Sequence, residues 1–392
     1  MNALRASLRV LLAAPLLLAS PAPAQDVPAW QPSFPRLFPS PTGPNGYEDL
    51  VMAADLAHVV ERNHLPEQGE TLSDVRRAVA SPEWRRARAL LTSGLTKPVR
   101  SPRQRVSFST EFPELAGMRS VARVLAREIR VRFADGRVAE AIASLRDGLR
   151  MATLIQGETL IGGLVGVACS AIVLKEFRSH IGQLAVQDCE RTLSVVREWL
   201  RLPDGEVPAV LAERDTMIRQ LLDARADPAE AGKVARAFLG DEELERDPDE
   251  QPELVRRLLS DPVARAAALD EAVRKLEAHY ARVLEGLRKP FWQRRPVELE
   301  PDGSLSGKLC ETLVPVLSKV GEKYAFLRAD VQHLGVEAAI RRFVWERDRA
   351  PGSLGDLDLG EMAISPVTGE PFAYQRTGER TYELPLPRPA GP

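Results

Sequence analysis

The feature that most narrows the choice of fold is an almost unbroken apolar run in the middle of the chain. It extends from Leu160 to Leu174 and is notched by Gly162, Gly163 and Gly166. Between Glu158 and Lys175 it is shorter than the roughly 20 apolar residues that cross a bilayer comfortably. A helix that is apolar around its whole circumference needs other helices around it. Gly162 and Gly166, four residues apart, let a neighbouring backbone come close. The expectation is a mainly α protein: an irregular helical bundle or array around residues 158–177, with a small C-terminal β-hairpin.

The flanking segments carry the complementary pattern. Leu115, Met118, Val121, Ala122, Leu125, Ile129 and Phe133 recur at steps of three and four, which predicts an amphipathic helix. Asp135-Gly136 breaks it, and Val138, Ala141, Ile142, Leu145, Leu149 and Ala152 mark the next one. Other helices are expected from Tyr47 to before Pro66, from a Ser81 cap through Leu91, and over 187–202, 207–226 and 229–239. Two more are expected over 252–287, broken near Pro262, and over 310–347, interrupted or restarted at Pro315. After Pro351-Gly352 the pattern changes. Phe372–Arg376 and Arg380–Leu384 alternate around Thr377-Gly378-Glu379, the mark of a hairpin.

The N-terminus reads as a cleavable secretory leader, residues 1–24. Arg5 and Arg9 precede the apolar Val10–Ala19, and Ala22-Pro23-Ala24 offers a cleavage site. Export to the periplasm, the envelope or the medium follows, with no transmembrane span left after cleavage. Residues 25–46 hold six prolines and form an extended arm. A helical domain is expected over 47–347, with a possible internal boundary in the acidic, proline-punctuated stretch near 240–252, and a loop-and-hairpin module over 348–392. A net charge of −2 on 392 residues gives no reason to expect nucleic-acid binding.

Two segments resemble known families. Gly136-Arg137-Val138-Ala139-Glu140-Ala141-Ile142, with Gly148-Leu149, is similar to the inter-helix part of a tetratricopeptide repeat, over one hairpin of about 113–154. Residues Ala339–Phe343, Pro351, Leu354, Leu357, Ser365-Pro366, Gly369, Pro371 and Tyr374 resemble the tail of the major pseudopilins of type II secretion, over about 338–384. That likeness implies a proline-leucine loop leading into a small sheet. Ser365 stands where the family carries aspartate, so a calcium role is not implied.

Candidate chemistry is sparse. Asp55, His58, Glu61 and His64 follow at steps of three, and Asp330, His333 and Glu337 at helical spacing. His58, Glu61, His333 and Glu337 could form a metal site between two helices, the basis of an alternative reading as a metal-dependent or hydrolytic enzyme. Each three-residue step drifts by about 60°, so the ends of the first cluster face opposite sides. No cofactor is called for: the chain has no nucleophile elbow, no His-Glu-x-x-His and no glycine-rich phosphate loop after a strand. Of three cysteines, Cys189 and Cys310 could bridge, while Cys169 reads as a buried apolar residue. Arg288, Lys289, Phe291, Trp292, Arg294 and Arg295 mix cations with aromatics and are a candidate contact for a protein or an envelope polymer. The favoured reading is a non-enzymatic, macromolecule-binding or scaffold protein of the cell envelope.

Overall fold

Eleven helices and one short hairpin make up the described part of the chain. In this computed structural model that part is residues 44–66, 68–103, 106–107, 110–156, 159–239, 259–299 and 304–387. The expected leader, nearly all of the proline-rich arm and the acidic stretch near 240–252 lie outside it.

The helices are α1 (Gly46–His64), α2 (Leu72–Val79), α3 (Pro82–Leu95), α4 (Pro113–Ala134), α5 (Val138–Leu154), α6 (Leu160–Ser179) and α7 (Val186–Leu200). They continue as α8 (Glu206–Ala226), α9 (Pro228–Leu239), α10 (Pro262–Leu287) and α11 (Leu305–Arg347). Strands β1 (Gln375–Arg376) and β2 (Tyr382–Glu383) pair antiparallel, Gln375 opposite Glu383 and Arg376 opposite Tyr382. The expected class is observed: mainly α, with a tiny C-terminal sheet.

Local chemistry accounts for where several helices start. A side-chain oxygen that accepts from an otherwise unpaired first-turn N–H fixes the start of a helix. Asn45 does this for Tyr47 N at 3.1 Å, Ser81 for Trp84 N at 3.1 Å, Thr159 for Gly162 N at 2.9 Å and Ser304 for Gly307 N at 2.9 Å. Thr71 and Asp74 cap α2 reciprocally, a box that was legible in the residues although no helix was predicted there. α11 corrects another expectation. It runs unbroken through Pro315 for 43 residues, about 65 Å. One lost hydrogen bond and a ring clash cost about 3 kcal/mol, which packing along so long a helix can offset.

The apolar side chains form two clusters. The first joins α1 to α7, the C-terminal half of α11 (Leu327, Val331, Leu334, Ile340) and the tail residues Leu354, Leu357, Leu359, Met362 and Phe372. The tail is therefore part of this core: Ala350 N donates to Glu379 O at 2.6 Å and Tyr374 Oη to Pro351 O at 2.7 Å. The second cluster joins α8, α9, α10 and the N-terminal half of α11 (Val320, Tyr324) to Leu160 at the start of α6. α11 thus belongs to both, changing allegiance between Tyr324 and Leu327.

α6 lies among α4, α5, α8 and α11. Its 20 residues exceed the apolar run from which it was predicted, and their length and composition would also suit a membrane span. More than half of that stretch is buried inside the fold. The glycines act on different neighbours than the four-residue spacing implied. A Cβ at Gly163 would overlap Tyr324 Oη on α11, and one at Gly166 would overlap Gln156 beyond α5. Gly162 faces only the preceding turn, at Ile155 O.

Candidate functional site

Where the two cores meet, the surface opens into a cleft of about 350 Å³. Its walls come from the outer face of α5, the end of α7 and the Leu202–Gly205 turn into α8, with Arg100 closing one side. Such seams between packed units are where ligand clefts concentrate.

The cleft is cationic and aromatic. Arg146 and Arg150 sit four apart on α5, one helical turn, so both guanidinium groups project from one face. Arg146 has only its neighbour Asp147, at 3.5 Å; Arg150 has no partner among the described residues. Arg100 is placed by its backbone: its N–H donates to Asn45 Oδ1 at 3.1 Å, and Asn45 Nδ2 donates to Arg100 O at 2.6 Å. The Trp199 ring is fixed by its Nε1–H, which donates to Thr153 Oγ1 at 3.0 Å, while Thr153 in turn donates to Leu149 O at 3.0 Å. Two carboxylates, Glu198 and Asp204, interrupt the positive lining. Asp204 accepts from Glu206 N at 2.9 Å and so shapes the start of α8.

A smaller notch of about 20 Å³ opens off the cleft, sharing Thr153, Trp199 and the Leu202–Gly205 turn. Its far side is α11, with Tyr324, Leu327 and Arg328. Tyr324 Oη donates to Gly205 O at 3.4 Å, and burial pushes its phenol far above the ordinary tyrosine range. Gln156, 3 % exposed, lines the notch, and its Nε2 is buried with no hydrogen-bond partner among the described residues. Arg328 is half-buried and likewise unpartnered among the described residues.

A second group of perturbed side chains lies in the second core. Burial raises the Glu213 carboxyl to about 7. Burial also raises Glu206, although both its oxygens accept from Arg294 Nη1 at 2.8 Å. His279 is driven down to about 4 by burial, then by the Arg282 charge, and neither of its ring nitrogens has a hydrogen-bond partner among the described residues.

The residues singled out from sequence are not assembled as anticipated. His58 is exposed on α1, and Glu61 is occupied by Arg123, at 2.6 Å from each oxygen, and by Arg127 at 3.3 Å. His64 pairs with Glu83 at 3.2 Å. His333 is buried with Nε2 at 2.8 Å from Leu384 O, and Glu337 lies 3.3 Å from Arg178. Glu61 packs with α4 in one part of the first core, Glu337 with α6 in another. Among the described residues no group of three or more His, Cys, Asp or Glu side chains is arranged to hold a metal. The Cys189–Cys310 bridge is also corrected. Neither forms a disulfide and both are buried, Cys189 in the first core and Cys310 in the second, where its Sγ lies 3.6 Å from Ala272 O.

The basic-aromatic run is divided between two tasks. Arg294 is tied inward, to Glu206 and to Lys289 O at 2.9 Å. Trp292 lies against Gly369, whose φ of +75° and crowding both exclude a side chain. Phe291 is half-buried under Arg294, while Arg288, Lys289 and Arg295 stay exposed. No protein-family model matches the chain, and no curated protein or solved structure matches it either.

Proposed function

We propose that this is an exported, non-enzymatic binding protein of the cell envelope, and that it holds an acidic segment of another protein in the cleft between its two cores. The observation that carries the reading is the set of guanidinium groups at the cleft, Arg146 and Arg150 above all, beside the anchored Trp199 ring. Guanidinium matches carboxylate geometry with two parallel hydrogen bonds. Trp and Arg are also the residues that most often carry binding energy in protein interfaces.

Charge argues for a peptide over a uniform polyanion. Glu198 and Asp204 share the cleft with the arginines, and the chain has a net charge of −2. A nucleic acid or polyphosphate would meet those carboxylates with charge at every unit; a peptide can place its carboxylates selectively. The composition of residues 1–24 supports export.

Fluorescence anisotropy with a labelled glutamate–alanine peptide tests the reading. Binding should weaken about tenfold for each of Arg146→Glu and Arg150→Glu. A glutamine–alanine peptide that binds equally well would contradict it, as would an anionic polysaccharide that binds more tightly.

A further inference from the structure

The charged side chains at the cleft are sorted by wall. Arg146 and Arg150 stand on α5, whereas Glu198 and Asp204 come from the end of α7 and the turn into α8. All four residues are exposed, and neither arginine pairs with either carboxylate across the cleft. Glu198 has no side-chain partner among the described residues, and Asp204 spends one oxygen on Glu206 N. Opposite charges that share a cleft without meeting favour a ligand that carries both signs, each facing its complement.

The spacing says how such a ligand lies. Four residues apart on one helix, Arg146 and Arg150 are separated by about 6 Å along α5. In an extended chain, residues i and i+2 point the same way and are about 6.7 Å apart, while residue i+1 points to the other side. We propose that the cleft holds an extended acid–base–acid segment, its two carboxylates on Arg146 and Arg150 and the cation between them turned to Glu198. The proposal rests on the reading of the cleft as a site for an acidic peptide and adds the conformation and the residue pattern of the ligand. The stem of the middle residue crosses the Trp199 ring, which its bond to Thr153 holds in place, and the cation gains from the face of that ring as well as from Glu198. A helix with acids four residues apart would match the arginines too, but a body about 10 Å across is too wide for a cleft of about 350 Å³.

Three short peptides of equal length test this by fluorescence anisotropy against the full chain. They are blocked at both ends and differ only in a central triplet: glutamate–lysine–glutamate, glutamate–alanine–glutamate or glutamate–glutamate–lysine. Net charge alone ranks the alanine peptide first. The proposal ranks the alternating peptide first, about threefold tighter than the alanine peptide and about tenfold tighter than its own rearrangement. Glu198→Lys should weaken the alternating peptide about tenfold and tighten the alanine peptide, a reversal of sign that loss of the fold would not produce. Arg150→Glu should weaken both. If the alanine peptide binds best, or the two lysine peptides bind equally, while Arg150→Glu still weakens them, the alternation is overturned and the acidic-peptide reading stands. If Arg150→Glu changes the binding of none of the three, the cleft reading itself is overturned.

Discussion

The two cores handle buried charge in opposite ways. Around the first, carboxylates are surrounded by arginines in a continuous ladder. Glu61 meets Arg123 and Arg127, Glu70 meets Arg127 at 2.6 Å and Arg130 at 3.0 Å, and Glu176 meets Arg130 at 3.0 Å and His180 at 3.1 Å. Burial raises Glu61 and Glu176, yet hydrogen bonds and cation charges outweigh it and hold both below the usual carboxylate range. In the second core burial wins: Glu206 and Glu213 go up and His279 goes down. The same physical cost is met by partners along the ladder and by neutral protonation states at Glu213 and His279, while Asp215 and Asp270 of the second core keep arginine partners, Arg214 at 2.7 Å and Arg225 at 2.6 Å. The first core is thus built to stay charged, while the second also holds groups that stay neutral.

The sharpest way to break this contrast is to remove one partner on each side. Arg294→Ala leaves Glu206 buried and alone, and should cost about 3–5 kcal/mol. Hydrogen exchange should show α8 and α10 opening while α4 and α6 stay protected. Arg123→Ala leaves Glu61 with Arg127 at a partly exposed site and should cost about 1 kcal/mol or less in urea unfolding. Equal losses would remove the distinction.

The next effect is a reversal of sign. Glu213 is raised above its unfolded value, so its protonated form is favoured in the folded state. Below about 4.5 both states are protonated and nothing is lost. As pH rises towards about 7 only the unfolded state ionises, and stability falls. Glu213→Gln should therefore stabilise the protein above about pH 7 by at most about 3 kcal/mol, with no gain below about 4. Glu61→Gln should do the opposite, destabilising by about 1 kcal/mol at neutral pH, because Glu61 is lowered and its contribution is present above the unfolded value. His279 works against Glu213: its contribution is complete above about 6.5 and fades as pH falls towards about 4. His279→Leu should flatten the acid limb of that profile, read as melting temperature against pH.

Much of this architecture was legible in the sequence and much of the chemistry was not. α4 and α5 could be placed because their apolar residues repeat at helical steps, and the buried set (Met118, Val121, Ala122, Leu125, Ile129) is the predicted stripe. α2 went unread because eight residues offer little periodicity; only the Thr71–Asp74 cap marks it. The acids and histidines at steps of three on α1 drew attention as ligands, yet what decides their role is the arginine row on α4, far away in sequence. The cleft was missed for a similar reason. Arg150, Gln156, Trp199, Asp204 and Arg328 come from separate elements, and no spacing in the chain announces that α5, α7 and α11 meet there.

The seam between the cores gives a smaller effect. Gly163→Ala would push Tyr324 aside where α6 meets α11, and should cost about 1–3 kcal/mol in urea unfolding. The thiols should give the smallest. Burial lifts Cys169 to about 12 and Cys189 to about 11. All three should resist alkylation until the protein is unfolded, and a reductant should leave the melting temperature unchanged. A shift on reduction would reinstate a bridge between the cores.

Hydrogen exchange with and without the glutamate–alanine peptide tests most directly where the two cores cooperate. Slowed exchange confined to the end of α5, the end of α7 and the turn into α8, residues 149–156 and 198–206, is the predicted result. Protection at the exposed Arg288–Arg295 run instead, or none along the seam, would contradict it.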